Sequence, residues 1–75
     1  MVKKTLDVKG IRCPIPVLKA EKVLKSLKTG DILQVLTTDP KAIKDFQAYC
    51  EVSNCLFQSY YKKDGVIKIS ICKSL

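Results

Sequence analysis

Apolar and polar residues alternate with period two near the start of the chain and then with period 3.6, and the change of period divides it into elements. In TLDV, residues 5–8, Leu6 and Val8 fall on one side, which predicts a short strand, and Gly10 supplies the turn after it. From Pro14 to Lys28 the apolar residues Pro16, Val17, Ala20, Val23, Leu24 and Leu27 lie within one arc of a helix. Lys19, Glu21, Lys22, Lys25, Ser26 and Lys28 fill the remainder, and Thr29 and Gly30 end the segment. Ile15 and Leu18 lie off the apolar arc close to the helix start, which reads either as ordinary scatter of exposed apolar residues or as a small docking patch beside Cys13.

ILQVLT, residues 32–37, is nearly continuous in apolar and β-branched character, as an interior strand requires. Asp39 then reads as an N-cap and Pro40 as the first residue of a second helix, whose Ala42, Ile43, Phe46, Tyr49 and Cys50 share a face. That face puts Cys50 in the core. CLFQSYY and VIKISIC, residues 55–61 and 66–72, read as strands joined by a hairpin through Asp64 and Gly65. In the last strand Ile67, Ile69 and Ile71 point inward, opposite Val66, Lys68, Ser70 and Cys72.

The order β-α-β-α-β-β predicts an α+β two-layer sandwich, a four-stranded mixed sheet with two helices on one face. A right-handed crossover makes the first two strands parallel, and the closing hairpin is antiparallel. With no linker, repeat or low-complexity stretch, residues 1–75 are expected to form a single domain.

Composition narrows the chemistry. An apolar fraction of 47% with 28% charged residues describes a globular chain. No stretch approaches the roughly 18 apolar residues of a membrane span, and the N-terminus lacks the apolar run of a signal peptide, so no membrane insertion and a cytoplasmic location are expected. In that compartment the four cysteines read as thiols. Fourteen basic against seven acidic residues give a net charge of +7, which favours acidic partners, protein or nucleic acid. The lysines are scattered from Lys3 to Lys73, so solubility explains the charge equally well.

The two helices open alike, with Cys13-Pro14 and Asp39-Pro40. A residue before proline is driven toward extended geometry, which is also N-cap geometry, so Cys13 is expected to stand where Asp39 stands. A thiolate there gains from the unpaired helix N–H groups and the positive end of the helix dipole, so the thiol should be unusually acidic. Arg12 and Lys9 add positive charge. Pro14 and Pro16 stiffen the backbone and leave the N–H groups of Ile15 and Val17 as donors to the sulfur. As a plain cap, Ser, Asp or Asn would serve better.

The absence of histidine excludes a Cys-His hydrolase, and there is no Cys-x-x-Cys redox pair. Cysteines 13, 50, 55 and 72 lack zinc-knuckle spacing, so neither a metal nor a cofactor is expected. What remains is exchange at sulfur by one accessible nucleophilic thiol.

Through Asp7, Gly10, Cys13, Pro14 and Pro16, and through Gly30, Val35, Asp39 and Pro40 in GDILQVLTTDPKAIKDF, the chain resembles the TusA/SirA-like family of small sulfur carriers. The hallmark of that family is Cys-Pro-x-Pro at the start of the first helix, and the resemblance runs from residue 5 to residue 73. It implies a persulfide carried on Cys13, beside which the residue reading sets Arg12, Pro14 and Pro16 as parts of the site and the Ile15–Leu18 patch as the candidate docking surface. It also implies a cysteine desulfurase or another sulfurtransferase as donor and a relay protein as acceptor, so that the protein acts as a carrier more than as a stand-alone enzyme. Pathways in the family include tRNA thiolation, sulfur oxidation, thiosulfate uptake and cofactor assembly, and the positive charge of this chain suits either an acidic protein or a transient tRNA contact. A monomer is expected.

Many members carry a Gly-His pair after the second helix where this chain reads Ser53-Asn54-Cys55, so no histidine can act there. Asn54 suits the left-handed geometry that ends a helix. Cys55 reads as a strand core residue, with a second reactive thiol as the alternative.

A rival reading is a small basic nucleic-acid-binding or regulatory module in which Cys13 is structural. Phe57, Tyr60, Tyr61, Lys62 and Lys63 lie along one strand of a sheet with an uncovered face. Simple alternation sets Phe57 and Tyr61 opposite Tyr60, so only part of the group can face outward.

Overall fold

A computed structural model of the chain describes residues 3–12, 15–53 and 55–74. Its elements are β1 (Lys3–Asp7), α1 (Ile15–Ser26), β2 (Ile32–Thr37), α2 (Lys41–Val52), β3 (Cys55–Lys63) and β4 (Val66–Lys73). The strands form one sheet in the order β1-β2-β4-β3. β1 and β2 are parallel, and β4 runs antiparallel to both β2 and β3. The two-layer α+β architecture read from the sequence is therefore the one observed.

Both helices lie on one face. Ala20, Leu24 and Leu27 from α1 and its C-terminal turn meet Ala42, Phe46 and Cys50 of α2 over Leu33 and Val35 of β2 and Ile67, Ile69 and Ile71 of β4. Phe46 is completely buried and is the largest side chain of this core. Every residue that periodicity places on the inward face of α2 is buried or half-buried. The opposite sheet face carries Gln34, Lys68, Ser70 and Tyr61 among half-buried Ile32, Leu36 and Cys72, a mixed surface that neither described helix covers. Among the described residues no helix is long and apolar enough to cross a membrane.

Local chemistry sets the boundaries. Hydrogen bonding begins α2 at Lys41, but Pro40 already has helical dihedrals (φ −60°, ψ −24°), and the Asp39 carboxylate accepts the Lys41 N–H at 3.0 Å. Asp39 is thus the capping group, as the sequence predicts. The β3–β4 hairpin turns on Asp64 and Gly65, both at positive φ (53° and 79°), the combination that matches the twist of the strands it joins. At the other end of α2 the Ser53 hydroxyl donates to the Tyr49 carbonyl at 2.6 Å, and the Ser53 N–H reaches the same oxygen at 3.0 Å. Asn54, to which the sequence assigns the left-handed end of this helix, lies outside the described residues.

Candidate functional site

The loops that precede the two helices are laced together. Beyond the last residue of β1, the Val8 N–H still donates to the Leu36 carbonyl at 2.8 Å, so the buried Val8 continues the line of the strand. Gly10, at φ 80°, donates its N–H to Thr38 Oγ1 at 2.9 Å. Ile11 folds back onto the Val8 carbonyl at 3.2 Å. An open groove of about 430 Å³ lies between the loops, lined by Gly10, Ile11 and Arg12 on one side and Thr38, Asp39 and Lys41 on the other.

Cys13 and Pro14, the centre of the site read from the sequence, lie outside the described residues, and their neighbours delimit it. Arg12 is exposed at the lip of the groove. Ile15 and Leu18 are 46% and 55% exposed on the first turn of α1, as their position off the apolar arc requires. Pro16, two residues along from Pro14, is fully buried, so it anchors the start of α1 in the core. Two expected contributions are reduced. The Ile15 N–H is engaged by the Arg12 carbonyl at 3.2 Å, which withdraws it from the donors offered to the sulfur. The Lys9 ammonium lies 3.7 Å from the Asp7 carboxylate, so its charge is shared with an acid.

A second constellation escaped the sequence reading. Lys73, on the last strand, sends its ammonium to the Leu24 and Leu27 carbonyls at 2.6 and 2.7 Å, at the C-terminal end of α1, where the Leu24 carbonyl also accepts the Leu27 N–H at 3.2 Å. Buried Asp31 completes the join: its carboxylate accepts the Lys28 N–H at 2.9 Å and its carbonyl accepts the Lys73 N–H at 2.9 Å. A cation complements that end of a helix dipole. The hint in the sequence is a lysine in line with the inward-facing Ile67, Ile69 and Ile71, which does not reveal its partner.

Cys50 is buried on α2 as expected. Cys55 is half-buried, and its Sγ lies 3.1 Å from Cys50 Sγ and 3.1 Å from Ser53 Oγ. Burial, followed by the hydrogen bond and charge of Cys55, pushes the Cys50 thiol up to about 12. No group of three or more His, Cys, Asp and Glu side chains converges into a cation site among the described residues.

The aromatic strand departs from simple alternation. A bulge between Phe57 and Ser59 inserts a residue into β3, so Phe57 pairs with Ile71 and Tyr60 with Ile69. Phe57 and Tyr60 therefore share the helix-side face, with ring centroids 6.4 Å apart, where alternation placed them on opposite sides. Tyr61, opposite Lys68, faces the uncovered surface without those two rings. A stacking platform of several aromatics, which the nucleic-acid reading requires, is not assembled there.

A mixed four-stranded sheet with two helices on one face, and exposed basic and apolar residues at the start of the first helix, make this a small α+β two-layer protein. A crystal structure of the SirA-like protein from Desulfitobacterium hafniense superposes with a TM-score of 0.84 at 32% identity, covering 96% of this chain and 99% of that one. The chain belongs to the sulfurtransferase TusA family, whose profile matches residues 4–73. A protein of Neisseria meningitidis described as a candidate sulfur carrier is 39% identical over 71 residues, covering 95% of this chain and 96% of its own length. The sulfur carrier protein TusA of Allochromatium vinosum is 41% identical over 61 residues, covering 80% and 78% of the two chains. Sulfur carriage is the function these relationships support.

Proposed function

We propose that Cys13 accepts sulfane sulfur as a persulfide and relays it to the thiol of an acceptor protein. The observation that supports this most is the surface around residue 13: exposed Arg12 at the groove, exposed Ile15 and Leu18 on the first turn of α1, and buried Pro16 holding that turn to the core. A thiolate at the N-terminus of a 12-residue helix is favoured by the dipole and by unpaired N–H groups. In loading, the Cys13 thiolate attacks the outer sulfur of a donor persulfide, the donor S–S bond breaks, and the donor cysteine leaves as a thiolate. In delivery, an acceptor thiolate attacks the outer sulfur held by Cys13, which is then the leaving thiolate. The same stabilisation thus assists release.

The donor class is a cysteine desulfurase or another sulfurtransferase, which presents a protein-bound persulfide. The patch of Ile15 and Leu18 gives such a protein an apolar contact beside the reacting residue, and Arg12 offers it a cation. The test is incubation with a desulfurase and free cysteine, followed by intact mass. Wild-type protein gains one sulfur that a reductant removes, and Cys13→Ser gains none while keeping its melting temperature. Equal loading of the two proteins would overturn the assignment to Cys13.

A further inference from the structure

We propose that Cys50 and Cys55 form a second sulfur centre, a dithiol that closes reversibly to an intramolecular disulfide, with Cys55 as the attacking thiol and Cys50 as the resolving one. Their sulfurs are 3.1 Å apart, about 1 Å longer than a disulfide bond and well inside the contact of two unlinked sulfur atoms. Two thiols placed at random in a core have no reason to lie so close. The pair joins the last turn of α2 to the first residue of β3, two elements already fixed to each other by the Ser53 turn.

The two thiols are unequal in access. Cys50 is only 9% exposed, whereas Cys55 is half-buried and borders two surface hollows. One hollow, of about 520 Å³, is lined by Gln47, Cys50, Glu51 and Phe57 together with Cys55. The other, of about 170 Å³, adjoins Tyr49, Ser53 and Lys73. A reagent that carries a sulfur–sulfur bond therefore meets Cys55 first.

The hydrogen bonds support the same division of labour. The single proton of the Ser53 hydroxyl is given to the Tyr49 carbonyl at 2.6 Å, so toward Cys55 the Ser53 oxygen acts as acceptor. With Cys55 neutral, its S–H points to Ser53 or to Cys50. Once Cys55 is a thiolate, the S–H of Cys50, which burial keeps protonated, becomes a donor to it.

The co-reactant is a small-molecule disulfide, RSSR. Cys55 thiolate attacks one sulfur of RSSR, giving a Cys55–S–S–R mixed disulfide and releasing RS⁻. Cys50 then gives up its proton to a base such as that RS⁻ and attacks Cys55 Sγ; the Cys50–Cys55 bond forms and the second RS⁻ departs, to be protonated by solvent. Overall two protein thiols lose two electrons and two protons, and RSSR becomes two RSH. Excess RSH reverses both steps. This centre requires nothing of Cys13 and is separate from the carrier reading.

The test uses the full chain carrying Cys13→Ser, at low concentration, with oxidised glutathione as RSSR, followed by intact mass and by peptide mapping. The expected product has lost two hydrogens, retains no glutathione, and maps its link to residues 50 and 55. Adding Cys50→Ala should halt the reaction at a stable glutathione adduct on Cys55. Adding Cys55→Ala should slow consumption of the Cys50 thiol by about tenfold or more, because the buried sulfur has lost its accessible partner; this second variant decides the matter should Cys50→Ala fail to fold. A parent protein that keeps its glutathione, fails to react while folded, or links either thiol to Cys72 or to a second molecule would overturn the proposal.

Discussion

Replacing Lys73 by methionine removes the ammonium that holds the end of α1 while keeping an unbranched stem of similar volume. The wild-type ammonium donates to the Leu24 carbonyl at 2.6 Å and the Leu27 carbonyl at 2.7 Å. A hydrogen bond to a charged group contributes roughly 1.5–3 kcal/mol. The two share one cation, however, and water can reach the vacated carbonyls because Lys73 is only half-buried. The expected cost is therefore that of about one such bond, roughly 2 kcal/mol.

For a chain of this length, with an unfolding entropy of roughly 0.16 kcal/mol/K, that corresponds to a fall in Tm of about 12 °C. Urea unfolding followed by circular dichroism should show a lower midpoint at unchanged slope, and amides in the last turn of α1 should exchange faster. Lys68→Met, on the uncovered face of the same strand, is the control and should stay within about 0.5 kcal/mol of wild type. A Lys73→Met protein no less stable than that control would refute the reasoning, because water would then serve the α1 carbonyls as well as the lysine does.

Two further outcomes are expected. Burial first, then the contact with Cys55, raises the Cys50 thiol to about 12, whereas an unfolded thiol titrates near 8.5. The native chain therefore keeps this proton at a pH where the unfolded chain has lost it. The contribution of Cys50 to stability is whole below about pH 8.5 and falls as pH rises toward 12, by at most about 1.4 kcal/mol per pH unit. Urea titrations at pH 8 and pH 10 should show Cys50→Ala less stable than wild type at the lower pH but losing less over the interval; parallel losses would contradict the assignment. Leu18→Glu, placed on a residue 55% exposed, should leave Tm within a few degrees of wild type while slowing sulfur loading from a desulfurase at low protein concentration. Unchanged loading kinetics would remove Leu18 from the docking surface.

The parts of the fold legible in the sequence are those that local chemistry decides. Asp39-Pro40 marks the start of α2 because a carboxylate and a fixed φ act within three residues of each other, and Asp64-Gly65 marks the hairpin because two positive φ angles are needed there. The exposure of Ile15 and Leu18 follows from helical angle alone. Register and distant partners were not legible. The bulge that puts Phe57 and Tyr60 on one face depends on how β3 meets β4, and no residue type in FQS announces it. Lys73 and the carbonyls it holds are 49 and 46 residues apart, so only the folded sheet brings them together. The Cys50–Cys55 contact is close in sequence, yet it joins a helix face to a strand face, two periodicities that a linear pattern treats separately. At the centre of the site, the match of Cys13-Pro14 to Asp39-Pro40 was visible in the sequence, whereas the engagement of the Ile15 N–H needed the backbone.

The borders of the sheet bear on how such a cationic protein behaves when abundant. β1 is five residues long and begins with two lysines, and β3 is kinked by its bulge and finishes with Lys62 and Lys63. Short length, irregular pleat and repelling ammonium groups each hinder a neighbouring chain from adding itself as a further strand. The flanks thus work against fibre growth and leave the loop-lined end of the molecule as the more inviting place to be approached.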